Sequence, residues 1–261
     1  MRPNPVKSKL ASGGVSIGTF MLEFNTTGIA RLAAEAGAEF AVFDMEHTGW
    51  STETIRMLVA TSRPTGMVPV VRVPAAEYHF ISRVLDMGAM GVMVPMVESE
   101  EQALRLVQSA RYPPEGRRGA AFCMAHDDYT GGELTAKIES ANREVLLIAQ
   151  VETVRGVENV DAIAAVEGLD VLWIGQADLT TSLGIPGQYT HPKFLAAVDR
   201  VSRACQNAGK TLAYLALDVE DGKTMLARGF RMLALGADLW LYQQALRQGV
   251  AALQAATREM V

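Results

Sequence analysis

Val145-Leu146-Leu147-Ile148-Ala149-Gln150-Val151-Glu152-Thr153 and Leu169-Asp170-Val171-Leu172-Trp173-Ile174-Gly175-Gln176-Ala177-Asp178-Leu179 are short, nearly continuous apolar runs, and each stops at a carboxylate. A strand buried on both faces reads this way where its C-terminal end emerges into a site. Between them, Val157, Val160, Ile163, Ala164 and Val166 recur at helical spacing, so 157–166 is predicted as a helix. The unit is strand, helix, strand, and its strands must be parallel. Glu152 and Asp178 then emerge on the same side. Paired carboxylates supply the oxygen ligands that a hard divalent cation prefers. A plainer reading stays open, in which Asp178 ahead of Leu179-Thr180-Thr181 only caps the next helix.

Working outward, the same alternation covers the chain. Residues 1–12 are mostly polar and read as a loose entry, followed by a strand over Val15–Phe20 and a helix over Thr27–Ala36 stopped by Gly37. Glu39–Phe43 is a second strand ending in Asp44-Met45-Glu46-His47, and a helix capped by Ser51 or Thr52 reaches Ala60. Val68–Val71 is a third strand ending at Arg72. A helix over Tyr78–Met87, a strand over Gly91–Pro95 and a helix over Glu100–Ala110 come next. Arg111–Gly132 is a long irregular stretch, the kind that is usually functional or mobile. Beyond the turn-rich Gly184–Pro192 lie a helix over Lys193–Ala208, strands over Thr211–Leu217 and Phe230–Leu235 with a helix over Val219–Ala227 between them, and a closing helix over Trp240–Met260. Eight strands alternating with helices predict a single-domain (β/α)8 TIM barrel spanning 1–261, with its chemistry at the C-terminal ends of the strands. A doubly wound sheet is the runner-up, weakened because no nucleotide-binding glycine motif is present.

Composition narrows the function. Hydrophobic residues make up 49% and charged residues 20% of the 261, which is a globular balance. A net charge of −5 and the lack of a basic cluster argue against nucleic acid as a partner. Apolar stretches such as Gly91–Val97 are far shorter than a bilayer span, and no apolar segment follows the N-terminal basic residues, so a cytoplasmic protein with no membrane partner is expected. Cys123 and Cys205 fit neither a disulfide framework nor a metal-knuckle spacing. Both are read as structural thiols.

The predicted barrel collects Asp44, Glu46, His47, Arg72, Gln150, Glu152 and Asp178 at one rim. Two carboxylates hold a metal, an arginine fork pairs with an anionic oxygen, and a histidine moves protons near neutral pH. The set suits a small anionic oxo-acid. Against this, Arg72 is equally open to a structural salt bridge with Asp44 or Glu46, and His47 to capping. His79, His126 and His191 read as structural or surface residues. Met87, Met90, Met93 and Met96 read as packing.

Phe43-Asp44-Met45-Glu46-His47, Val70-Val71-Arg72-Val73-Pro74, Arg83-Val84-Leu85-Asp86-Met87-Gly88-Ala89, Gly91 to Val97, Gln150-Val151-Glu152-Thr153 and Gly175 to Leu179, in that order, resemble the HpcH/HpaI aldolases, the metal-dependent class II pyruvate aldolases. The resemblance implies a barrel assembling as a homo-hexamer, a trimer of dimers that exchange their C-terminal helix. It implies a reversible aldol reaction of a 4-hydroxy-2-keto acid, of the 2-keto-3-deoxy type, giving pyruvate and an aldehyde, with Mg²⁺, Mn²⁺ or Co²⁺ as cofactor. Residue by residue, Glu152 and Asp178 are similar to the metal ligands and Arg72 to the pyruvate and enolate clamp. His47 resembles the proton-moving residue and Asp44 its orienting partner. Gln150 and Ala177 resemble neighbours of the keto acid, and Asp86 a residue offered to the adjacent subunit's site. Gln176 stands where the family commonly has proline, and Gly119–Tyr129 lacks its usual glycine and arginine pattern in the loop that shapes the aldehyde pocket. Two rival readings stay open: a related lyase or condensing enzyme using an acyl-CoA or oxaloacetate, and a metal-binding barrel without catalysis.

Overall fold

The computed structural model describes residues 1–259. Eight parallel strands, β1 (Ser16–Met21), β2 (Phe40–Asp44), β3 (Val68–Arg72), β4 (Gly91–Val94), β5 (Leu146–Val151), β6 (Val171–Ile174), β7 (Thr211–Ala216) and β8 (Met232–Ala237), pair in sequence order and close when β8 pairs with β1. The helices are α1 (Pro5–Ala11), α2 (Ile29–Glu35), α3 (Thr52–Ser62), α4 (Tyr78–Asp86), α5 (Glu100–Ala110), α6 (Leu134–Glu144), α7 (Val154–Glu158), α8 (Val160–Ala165), α9 (Gln176–Ser182), α10 (Pro192–Ala208), α11 (Val219–Ala227) and α12 (Asp238–Glu259). The expected (β/α)8 barrel is the fold, and the open sheet is excluded.

β2 to β6 bury both faces along their whole length, which explains their continuous apolar runs. Phe40 and Val42, Val68 and Val70, Leu146 and Ile148, and Val171 and Trp173 belong to one core cluster, inside the barrel. The residues between them, among them Ala41, Phe43, Leu147, Ala149 and Leu172, belong to a second cluster against the surrounding helices. This period of two positions the site. The inward row of β2 continues from Phe40 and Val42 to Asp44, that of β3 from Val68 and Val70 to Arg72, and that of β5 from Leu146 and Ile148 to Gln150 and then Glu152.

Several expectations need correction. The entry over residues 1–12 is not loose: it forms α1, with Pro5 at its first position and the Asn4 side chain accepting from Lys7 N. Val6 and Leu10, one helical turn apart, join the cluster inside the barrel. The helix predicted over 157–166 is two short ones, α7 and α8, divided at Asn159. Leu134–Glu144 is a helix that the periodicity passes over, because it buries only Ala141 and Asn142. Within Arg111–Gly132 the one regular piece is a single 3-10 turn over Ala125–Asp127. The closing helix starts at Asp238, and its predicted end, Met260, lies outside the described residues. Among the described residues no helix is long and apolar enough to cross a membrane.

Candidate active site

β2 and β3 bring Asp44 and Arg72 together as register partners. The fully buried Asp44 carboxylate accepts from Arg72 Nε at 2.7 Å, and it also accepts from the backbone N–H groups of Glu46 (3.0 Å) and His47 (3.1 Å). It therefore sets the turn that carries His47. The His47 imidazole itself faces Glu46, with Nε2 at 3.5 Å from Oε2. Arg72 Nη1 lies 3.2 Å from that same oxygen, and its guanidinium sits 5.1 Å from the Phe20 ring centroid. The salt bridge and clamp readings of Arg72 thus coexist: Nε and Nη1 face carboxylates, and Nη2 has no protein partner among the described residues.

Glu152 ends the inward row of β5 and is 1% exposed. Met96 N donates to Oε1 at 2.7 Å and Gln150 Nε2 donates to Oε2. Its pKa is nonetheless pushed up to about 7, first by burial and then by the negative charges of Glu46 and Asp178. Glu46 is also raised, mainly by burial, with Asp44 and Asp178 adding to the rise and Arg72 and His47 opposing it. Gly175 continues the inward row of β6 from Val171 and Trp173. A Cβ there would overlap the Glu152 carboxylate and the Gln150 amide, so glycine is what lets them occupy the space.

Asp178 does not end β6. The strand stops at Ile174, and Asp178 stands in the first turn of α9, exposed. It is not a cap either, since Gly175 occupies that position. Ala177, beside it, is also exposed, whereas Gln150 is buried with Oε1 lacking a hydrogen-bond partner. Asp86 stands apart from the rim at the end of α4, where Arg118 Nη2 donates to it at 2.6 Å. Lys210 sits at the opposite end of the barrel, donating to the carbonyls of Val166 and Leu169, so it supplies no Schiff-base lysine to the rim.

The donor set fits a divalent cation. Glu152 and Asp178 are hard oxygen donors, burial and the charges of Glu46 and Asp178 raise the proton affinity of Glu152 in a way that a cation would relieve, and the Gln150 Oε1 acceptor is unfilled. Among the described residues no three His, Cys, Asp or Glu side chains enclose a metal by themselves, so two carboxylates would leave the other positions to water and substrate.

Two contributors, Asp238 and Met96, were not among the expected rim residues. Asp238, 7% exposed, accepts from the backbone N–H groups of Leu22 (3.0 Å) and Phe24 (2.7 Å) and fixes the loop after β1. Its signal was present, since β8 too is an apolar run ended by an acid. Met96 was read as packing, but it is 47% exposed and left-handed, with φ 55, where its N–H reaches Glu152. Glu46, expected at the rim and as a partner of Arg72, is found there, with Oε2 facing Arg72 Nη1 and His47 Nε2.

A closed parallel barrel whose inward rows end in arginine, amide and carboxylate groups defines a TIM barrel with a polar site at the C-terminal ends of its strands. Residues 17–245 match the HpcH/HpaI aldolase/citrate lyase family, and the chain belongs to it. Membership places it among the carbon–carbon lyases of aldolase type. It is 35% identical over 243 residues to 2-keto-3-deoxy-L-rhamnonate aldolase of Salmonella gallinarum, covering 93% of this chain and 90% of that one. It is 36% identical over 255 residues to hydroxypyruvate/pyruvate aldolase of Paraburkholderia phytofirmans, covering 95% and 96%. The crystal structure of an HpcH/HpaI aldolase from Desulfitobacterium hafniense superposes with a TM-score of 0.91 at 32% identity, covering 95% and 96%.

Proposed function

We propose that this chain reversibly cleaves a 4-hydroxy-2-keto acid of the 2-keto-3-deoxy type to pyruvate and an aldehyde. The reading is carried by one observation: Arg72, anchored by Asp44 and Glu46, stands at the same rim as the Glu152 carboxylate, whose proton affinity is raised by burial and then by neighbouring acids. It is supported by family membership and by the two aldolases to which the chain is similar.

Arg72 presents its remaining N–H groups to the keto acid's oxygens and stabilises the charge that grows on the enolate. Asp44 and the Phe20 ring hold that guanidinium so that little reorganisation accompanies the reaction. His47, on the turn that Asp44 fixes, takes and returns the proton moved in cleavage and condensation. Gln150 orients Glu152 and lies beside the bound acid with Ala177. Glu152 and Asp178 would hold a divalent cation, Mg²⁺, Mn²⁺ or Co²⁺, which when bound supplies Lewis acidity toward the keto oxygen. Asp86, paired with Arg118 in this chain, is assigned to the adjacent subunit's site.

The protein works as a single-domain barrel in the cytoplasm, with small-molecule keto acid and aldehyde as its partners, and as a homo-hexamer. α12 supports the assembly: it exposes Trp240, Tyr242, Leu246, Val250 and Leu253. An apolar cavity of about 310 Å³ opens beside its start, between β1 and α2. Exchange of this helix between subunits covers both.

The test is hydrogen–deuterium exchange into the methyl group of pyruvate, followed by NMR with chelated protein and again after Mg²⁺ or Mn²⁺ is added. Metal-dependent exchange is expected, because enolisation precedes the choice of aldehyde. No exchange with any divalent metal would overturn the aldolase reading.

A further inference from the structure

The paired ladder between β6 and β7 ends at Ile174 and Tyr214. One residue later the chain turns at Gly175 and enters α9, so its backbone N–H groups leave the sheet while β7 continues through Leu215 and Ala216. The Leu215 carbonyl is thereby left without its neighbour's N–H. Gln176, the first residue of α9, fills the gap with its side chain: Nε2 donates to Leu215 O at 2.7 Å, and the residue is 5% exposed.

The start of α9 is otherwise tied to the sheet by the Gly175 N–H, which donates to Val151 O at 3.3 Å on the β5 side, and among the described residues nothing but Gln176 ties it to β7. Gly175 supplies no side-chain cap. The Thr180 hydroxyl donates back to the Gln176 and Ala177 carbonyls at 2.9 Å and accepts from Gly187 N at 3.1 Å, bonds that brace the helix internally and to the loop after it without reaching β7. Asp178 is exposed, and its carboxylate makes no hydrogen bond among the described residues, so its place over Glu152 depends on the orientation of that first turn.

We infer that Gln176 is a positioning residue for the site: its amide stitches the first turn of α9 to β7 and so aims Asp178 at the position that Glu152 shares. The inference rests on the reading of Asp178 as a metal ligand. A proline at this position, with its preset φ, stiffens the helix start without bonding β7. A glutamine reaches across the sheet and holds the turn from outside. Asparagine is one methylene too short for the same span.

The test is calorimetric titration of Mn²⁺ into the full-length, metal-stripped protein and its D178A, Q176M and Q176A variants. The Mn²⁺ EPR spectrum and the thermal midpoint are recorded in parallel. Methionine keeps the volume of glutamine and removes the donor. Loss of one buried hydrogen bond to a neutral acceptor corresponds to about a fivefold rise in the Mn²⁺ Kd of Q176M and Q176A. An altered EPR line shape is also expected, since the ligand field changes with the aim of Asp178. D178A is expected to lose the tight site. If D178A binds Mn²⁺ as the parent does, the ligand reading itself fails. If D178A loses Mn²⁺ while both Gln176 variants keep the parent Kd and spectrum, the positioning role is refuted, even if their thermal midpoints fall. Should Q176M not fold, Q176A carries the same comparison without a buried thioether.

Discussion

The two ends of this barrel are both polar and both largely buried, yet they are built on opposite principles. At the N-terminal end α1 plugs the opening, and the polar groups around it are paired, Arg111 Nη1 beside Asp170 excepted. Asn4 Nδ2 donates to Met90 O (2.9 Å) and Glu144 O (3.0 Å), and Lys7 Nζ donates to Val145 O (2.8 Å) and to Asp170 (3.0 Å). Asp170 in turn accepts from Leu147 N, and Lys210 caps two carbonyls. At the C-terminal end Gln150 Oε1 lacks a hydrogen-bond partner, the Glu152 pKa is raised to about 7, and Met96 is held left-handed. Buried polar groups that are paired stabilise, whereas unmet demand at one place marks where a ligand is to complete the set.

The largest expected effect breaks the rim. E152Q should lower metal-dependent turnover on the order of a thousandfold, because a neutral amide is a poor ligand for a hard cation. The same substitution should stabilise the metal-free protein at alkaline pH. The Glu152 pKa is about 7 in the folded chain against 4.5 for the free group. Between those values the folded protein keeps a proton that the unfolded chain has released. Stability therefore falls as pH rises from 4.5 to about 7, and stays reduced above it. Denaturant titrations in chelator at pH 5 and pH 8 should show this fall in the parent and a smaller one in E152Q. A parent curve with no such fall would remove the charge-strain account of the rim.

R72K comes next. Lysine keeps the charge but can neither pair Asp44 through Nε nor fork to a carboxylate, so kcat/KM should drop roughly a hundredfold with the fold intact. Unchanged kinetics would reduce Arg72 to the structural salt bridge. N4A sharpens the contrast from the other end: it takes the side-chain donor from the Glu144 carbonyl, one of two donors from the Met90 carbonyl, and the α1 cap, and should cost about 2 kcal/mol. For a chain of this size that is a fall of roughly 5 °C in Tm, readable by calorimetry, with kcat unchanged. A loss of activity equal to that of R72K would mean that the two ends are coupled.

How much of this contrast was readable in the sequence follows from the range of the signals. The inward rows ending at Asp44, Arg72, Gln150 and Glu152 were visible because two-sided burial writes an apolar run that stops at a polar residue. Asp178 was assigned to a strand end because Gly175 and Ala177 do not interrupt an apolar pattern, and a seven-residue helix writes too little period to oppose it. α1 was overlooked for the same shortness, although Asn4, Pro5 and the Val6–Leu10 spacing carry its cap and stripe. Gln176 acts through the Leu215 carbonyl, a partner distant in sequence and brought near only when β6 pairs with β7.

The smallest expected effect separates backbone from side chain at the rim. Met96 has φ 55, a region that disfavours residues with a Cβ by about 1 kcal/mol, and it uses that conformation to direct its N–H at Glu152 Oε1, 2.7 Å away. Glycine keeps the N–H and removes the strain, while gaining freedom in the unfolded chain. These two terms nearly cancel. The exposed thioether leaves no cavity behind, so M96G should change stability by less than about 1 kcal/mol. Metal affinity should hold as well, because the donor to Glu152 is retained. A marked fall in affinity, or in turnover of one aldehyde and not another, would show that the Met96 side chain is part of the acceptor pocket. The strain at this position would then be the cost of presenting that side chain to substrate, and not only of aiming the amide.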